Sequence, residues 1–282
     1  MNYRADEKGN RYTIFATDRT KRPDQSQIKS KDYCPFCKEN ITEENIVTFV
    51  GESVDNWKVV SINNKYPIAD IHEVIIHSAD HNKTVEKMNS DEVGDIFRMY
   101  LNRYLALRNT GQVSIFCNFG KFAGASLEHP HSQIIVVDNE VKFDQLEKQS
   151  KVENILIEGG FSVVVPEYSE YPYEVWIVSN KRFEDFGDDD ILTAGNLTQK
   201  TISALITHLS EESLLQKHSG KPHLHWKEYG VAYNYYISTS NSFYLRIIPK
   251  LTIQAGFELA TGVNVNVVDP KEVVELLKQD LR

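Results

Sequence analysis

Cysteine is scarce in this chain, with three in 282 residues. Three thiols, two of them in one C-x-x-C pair, do not make a disulfide framework, so the fold must be held by its core. No apolar run approaches the roughly 20 residues that span a bilayer. Basic residues are not in excess either: 31 Lys and Arg against 40 Asp and Glu give a formal charge of −9. That balance argues against a nucleic-acid surface, which needs a broad basic face. It leaves room for a small anionic ligand, which needs only a few cations or backbone amides. The opening "MNYRADEKGNRYT" is polar and mixed in charge, unlike a signal peptide. A G-x-S-x-G elbow and a Walker A loop are also missing. A soluble, cytoplasmic protein is the expectation.

What is present is an ordinary globular composition, 41% hydrophobic, 25% charged and 11% aromatic, on a chain long enough for one large or two modest domains. The order of segments repeats. In the first half come "WKVVSI" (57–62), "HEVIIHSADH" (72–81), a helical stretch over about 90–108 and "QVSIFCNFG" (112–120). Val93, Ile96, Phe97, Tyr100, Leu101, Tyr104 and Leu105 mark one buried helix face, and Asn89 with Glu92 forms a capping-box pattern. The second half answers with "FSVVVP" (161–166), "YEVWIVSNKR" (173–182), a helix with Ile202, Leu205, Ile206 and Leu209 on one side, "GVAYNYYIS" and "FYLRIIPK". Strand–strand–helix–strand–strand twice over predicts an α+β fold of two units that share a sheet or pack across one. The division is expected at 1–150 and 151–282, with the acidic stretch around 137–151 as connector. "VDPKEVVELLKQDLR" predicts a C-terminal helix capped by Asp269, with Pro270 in its first turn.

The chemistry concentrates in "AGASLEHPHSQIIVVD" (123–138). His129, His131 and Gln133 occupy alternate positions, so an extended segment directs them to one face. A neutral imidazole can attack phosphorus and split a transfer into two displacements. The small residues of "AGAS" let the backbone and Ser126 approach phosphoryl oxygens, and Gln133 can donate to one of them. The bland alternative is a Gly/Ala turn before a polar strand. Upstream, "CPFC" sets Cys34 and Cys37 at zinc-knuckle spacing, and the pair alone is open between zinc and redox use. Its polar flanks favour zinc. Two more ligands must then come from nine histidines, most of which read as ordinary hydrogen-bonding groups. "HLHW" (223–226) is an H-x-H whose lysine-rich, glycine-bearing surroundings predict an exposed loop.

Taken in order, "CPFC", "NNKYP", "ADH", "GASLEHPHSQ" and "AGFELATG" resemble the galactose-1-phosphate uridylyltransferase family of the histidine-triad superfamily, which includes nucleoside-diphosphate-sugar phosphorylases. The resemblance runs from "DRTKRP" (18–23) to "TGVNVN" (261–266). It implies two tandem histidine-triad-like units with antiparallel sheets and packed helices. The N-terminal unit carries the zinc site and nucleophile, and the C-terminal unit contributes sugar-binding residues. It implies one structural zinc on Cys34, Cys37, His81 and His129, and a nucleotidyl group carried by His131 beside Gln133. Arg19, Arg22, Asn64, Asn118, Ser126, Phe257 and Glu258 are the substrate-binding positions it implies.

Glutamine in place of a third histidine cannot act as an acid or base near neutral pH, which favours transfer over hydrolysis. The expected partners are a nucleotide sugar and a hexose 1-phosphate, within galactose and carbohydrate metabolism, and the expected assembly is a homodimer. The leading expectation is UDP-glucose:hexose-1-phosphate uridylyltransferase. The alternatives are an ADP-glucose-type phosphorylase with phosphate as acceptor, and a zinc-stabilised nucleotide-binding protein without turnover. Two departures stand out. Ser242 and Tyr244 occupy places where many relatives carry histidines, which argues against a second metal site there. Ser132 stands where many uridylyltransferases have glycine.

Overall fold

The computed structural model describes residues 3–5, 12–21, 33–141, 143, 151–211, 230–239 and 242–281. After a small ribbon of β1 (Tyr3–Ala5) and β2 (Tyr12–Ile14), the first unit runs β3 (Ile46–Gly51), β4 (Trp57–Asn63), β5 (Ile71–Ile76), α1 (Ser90–Leu107), β6 (Gln112–Phe119) and β7 (His131–Val137). The second unit repeats this order with β8 (Lys151–Glu158), β9 (Phe161–Pro166), β10 (Val175–Ser179), α2 (Asp188–Leu209), β11 (Tyr233–Ser238) and β12 (Tyr244–Pro249). A short α3 (Gly256–Thr261) and a C-terminal α4 (Pro270–Leu281) follow. Among the described residues no helix is long and apolar enough to cross a membrane.

All ten main strands form one antiparallel sheet in the order β3-β4-β5-β7-β6-β11-β12-β10-β9-β8. The order reads the same from either end once each strand is replaced by its counterpart. The shared-sheet form of the expectation is therefore the one realised, with β6 and β11 as the seam.

Periodicity explains which face is covered. Val113, Ile115 and Cys117 of β6, Ile134 and Val136 of β7, and Tyr233, Tyr235 and Ile237 of β11 alternate toward the helices and join one continuous core with α1, α2 and α4. The α1 start is secured as its sequence predicts: Asn89 accepts from the Glu92 N–H, and Glu92 accepts from the Asn89 N–H, each at 3.0 Å. Asp269 Oδ1 caps α4 by accepting from the Lys271 N–H at 2.8 Å. Helices α1 and α2 cross where glycines face each other. A Cβ on Gly195 would sit 3.2 Å from the Val93 carbonyl carbon and 3.3 Å from the Gly94 nitrogen. The opposite face of the sheet carries the polar residues of the site.

Candidate active site and metal centre

Strand β7 begins at His131, so His129 lies just before it and turns away from the other two. His131 and Gln133 share the open face, while Ser132 points under the sheet toward the helices. His129 Nδ1 lies 3.8 Å from both Cys34 Sγ and Cys37 Sγ, and His81 Nδ1 lies 3.4 Å from Cys37 Sγ. The ligand atoms of all four residues fall within 4.8 Å of one another. Such spacing fits a tetrahedral ion with bonds of about 2.0–2.3 Å. His129 also donates from Nε2 to the Ser78 carbonyl at 2.8 Å, which turns the lone pair of Nδ1 toward the thiols. Tying down the second ring nitrogen in this way is the usual support for a metal-ligating imidazole. Burial and the neighbouring Cys34 push the Cys37 thiol up to about 11, and burial lowers the pKa of His129. Two thiols and two imidazoles packed this closely suit a divalent cation, which holds thiolates deprotonated.

The loop between the two cysteines reaches the neighbouring histidine. Phe36, between the two cysteines, packs edge-on against His131 with ring centroids 4.9 Å apart. His131 itself donates from Nδ1 to the His129 carbonyl at 2.8 Å, so its lone pair lies on Nε2. Beside it, Gln133 Oε1 lies 2.9 Å from His72 Nε2.

Beneath β7 is a buried polar cluster that sequence reading did not find. Tyr100 donates to Ser132 Oγ at 2.8 Å, and its oxygen lies 2.6 Å from the Tyr235 hydroxyl; His77 Nε2 is 2.9 Å from Ser132 Oγ. Burial pulls the His77 pKa down to about 3 and raises that of Tyr100. Ser132 thus pins the strand from below.

The remaining positions separate into groups. Asn118, on β6, accepts at Oδ1 from Asn234 Nδ2 of β11 at 2.7 Å, across the seam. Asn234 donates also to the Ala123 carbonyl, at 2.9 Å, and so holds the small-residue loop. Gly120 opens that loop at φ +82°, and a Cβ there would meet Ala232 Cβ at 2.9 Å. Ser126 is half-buried further along it. Asn64 accepts at Oδ1 from the Tyr66 N–H at 2.8 Å, a local turn, and its amide nitrogen lies 3.0 Å from His72 Nε2. Arg19 is half-buried on a 3-10 turn, and burial lowers its pKa. Arg22 and "HLHW" fall outside the described residues. Phe257 and Glu258 sit on α3, where Phe257 is 58% exposed and Glu258 accepts from the Ala255 N–H at 2.8 Å, a cap of its own helix.

At the places matching the second-half histidines, Tyr244 stacks on Trp176 with centroids 4.9 Å apart. Among the described residues, Cys34, Cys37, His81 and His129 form the one group with metal-ligand spacing.

A conserved-family model described as the N-terminal domain of a domain of unknown function (DUF4931) matches residues 15–140. An ADP-glucose phosphorylase of Arabidopsis thaliana is 25% identical over 98% of this chain and 92% of its own length. A galactose-1-phosphate uridylyltransferase of Thermotoga maritima is 28% identical over 59% of this chain and 62% of its own. The crystal structure of an Arabidopsis thaliana ADP-glucose phosphorylase with bound ADP-glucose has the same fold, with a TM-score of 0.72 at 24% identity over 99% of this chain and 98% of that one. The motifs, the fold and these similarities agree: the chain is similar in sequence to an ADP-glucose phosphorylase and a galactose-1-phosphate uridylyltransferase and shares the fold of the former.

Proposed function

We propose that the protein transfers a nucleotidyl group from a nucleoside diphosphate sugar through a covalent nucleotidyl-His131 intermediate. The observation that carries this reading is the 2.8 Å bond from His131 Nδ1 to the His129 carbonyl, which directs the lone pair of Nε2 outward beside Gln133. In the first step Nε2 attacks the α-phosphorus, a P–N bond forms, the P–O bond to the β-phosphate breaks, and the sugar 1-phosphate leaves. The Nδ1–H···O=C bond strengthens as the ring takes on positive charge. In the second step an oxygen of the acceptor attacks the same phosphorus and the P–N bond breaks, restoring His131. Gln133 and Asn118 donate to the transferred phosphate, with Ser126, Arg19 and Arg22 in supporting contacts. Asn64, Phe257 and Glu258 serve the sugar side.

Inorganic phosphate as acceptor gives a nucleoside diphosphate, and a hexose 1-phosphate gives a new nucleotide sugar. The phosphorylase form, with an ADP-glucose donor, draws support from the relative that spans almost the whole chain. The uridylyltransferase form, our leading expectation from sequence, draws support from the shorter match to the bacterial enzyme.

Zinc is the proposed metal; Cys34, Cys37, His81 and His129 would hold it, and its role would be structural, fixing His129 and the cysteine loop whose Phe36 packs against the ring of His131. The proposed division of the chain after residue 150 has support in the second unit's first strand, which begins at Lys151. A homodimer would cover the exposed apolar side chains of Ile253, Leu259 and Val263. Sedimentation at micromolar concentration tests that assembly.

Intact-protein mass spectrometry after brief incubation with ADP-glucose or UDP-glucose tests the reaction. An adduct of one nucleoside monophosphate, absent in His131→Gly, is the expected result and names the base. The absence of any adduct would favour a binding protein without turnover.

A further inference from the structure

A carboxamide has a donor end and an acceptor end of nearly the same size, and only the donor end helps a phosphoryl oxygen. Gln133 and Asn118 therefore need something behind them that decides which end faces forward.

Behind Gln133 stands His72, itself buried. The Ile68 N–H donates to His72 Nδ1 at 3.1 Å. A neutral imidazole with an accepting Nδ1 carries its proton on Nε2. Nε2 lies 2.9 Å from Gln133 Oε1, so His72 donates and Gln133 accepts. Asn64 Nδ2, 3.0 Å from the same Nε2, cannot donate to it, because a ring accepting at both nitrogens would hold no proton.

The logic behind Asn118 is independent of any tautomer. The Ala123 carbonyl can only accept, so the Asn234 atom 2.9 Å away is the amide nitrogen. The same nitrogen lies 2.7 Å from the Asn118 side chain, which must therefore present its oxygen to it.

We propose that His72 and Asn234 are positioning residues: each occupies the oxygen of one carboxamide, so that Gln133 and Asn118 both turn NH2 groups toward the transferred phosphate. The inference rests on the nucleotidyl-transfer reading and adds a consequence for specificity. An amide turned the other way would offer an oxygen to water next to the covalent intermediate. His72 and Asn234 thus favour transfer over hydrolysis as well as speeding attack.

The test follows adduct formation by intact mass and the ratio of nucleoside monophosphate to transfer product, with ADP-glucose or UDP-glucose as donor. His72→Phe removes the donor. His72→Gln keeps an amide nitrogen near the place of Nε2. Loss of one preorganised donor predicts about a 10²-fold slower nucleotidylation in His72→Phe, chiefly in kcat. It also predicts a larger share of monophosphate and recovery of most of the rate in His72→Gln. Metal content and the thermal midpoint report whether the fold is intact. Should His72→Phe fail to fold, Asn234→Ala and Asn234→Asp carry the test. The aspartate, which replaces the donor with an acceptor and turns Asn118 around, should lose more than the alanine.

Wild-type rates and product ratios in His72→Phe, or a His72→Gln no better than His72→Phe, would overturn the inference while leaving nucleotidyl transfer standing. In the Asn234 pair, an aspartate no worse than the alanine overturns it. A wild-type protein that forms no adduct removes the reaction itself, and this inference with it.

Discussion

The two halves of the sheet place different chemistry at matching positions. On the open face of the first half, β5 and β7 pair Val74 with Gln133 and Ile76 with His131. On the second, β10 and β12 pair Trp176 with Arg246 and Val178 with Tyr244. Where the first half has His72 against Gln133, the second has Glu174 against Arg246, at 2.7 Å from Nε to Oε1. Arg246 also donates to Glu170 at 2.6 Å and to the Tyr236 hydroxyl at 3.2 Å, and lies over the rings of Tyr171, Trp176 and Tyr236. Burial works against its charge, but the Glu174 carboxylate outweighs it and holds the guanidinium above its ordinary value. One half keeps neutral groups with donor ends to spare. The other fills the same positions with a charge that is fully engaged. The lesson is that one backbone framework supports a face of neutral polar groups or a face closed by ion pairing, depending on a few side chains at register positions.

That contrast can be broken in order of expected effect. Removing one partner of a buried ion pair costs about 3–5 kcal/mol, so Arg246→Ala should lower the unfolding free energy by that much in urea. Activity per folded molecule should stay near wild type; a large loss of turnover without loss of stability would assign the second face to the reaction. Cys34→Ser should abolish stoichiometric metal and cost a few kcal/mol if the site is structural. Unchanged zinc content by atomic emission would remove the knuckle from the ligand set.

Gln133→Ala should do the reverse of Arg246→Ala. Its turnover should fall about 10²-fold, with the denaturation midpoint shifted little, as rapid-quench kinetics and urea titration would show. The effect that vanishes at neutral pH, and is smallest there, is a titration. The His77 pKa falls from 6.5 to about 3 on folding, so below pH 6.5 the unfolded chain binds the extra proton. Stability is full above that pH and declines toward pH 3, by about 1.4 kcal/mol per unit from this group alone. His77→Gln should flatten that part of a stability–pH curve, and an unchanged slope would mean that other groups set it.

Local signals made much of the fold legible. The α1 face, apart from Leu105, which is exposed in the last turn of the helix, and its capping box lie within one stretch of chain, and the matching order of segments predicted the paired units. The candidate metal group is legible because "CPFC" and "HPH" are short-range patterns and the resemblance supplied His81. His72 and Asn234 were not legible. His72 meets Gln133 across 61 positions and Asn234 meets Asn118 across 116, and only strand register brings them together. An isolated histidine or asparagine carries no mark of that. Arg246 was hidden for the same reason: its carboxylates lie more than 70 positions away. The alternation of His129, His131 and Gln133 suggested one shared face, but the strand starts at His131, and the proline between the histidines lets His129 turn to the thiols.

The seam between β6 and β11 has a consequence for how the protein could be divided. Asn118 and Asn234 meet across it, so a residue of the proposed reaction is oriented by the other half of the chain. A first half made alone would end in β6, an eight-residue strand with every second side chain buried against the helices and its outer edge unpaired. Such an edge invites pairing with another chain, and two separate halves would have to find each other by diffusion. Joined in one polypeptide, they meet at a fixed effective concentration that dilution cannot lower. The covalent link therefore does for this sheet what a dissociation constant would otherwise decide.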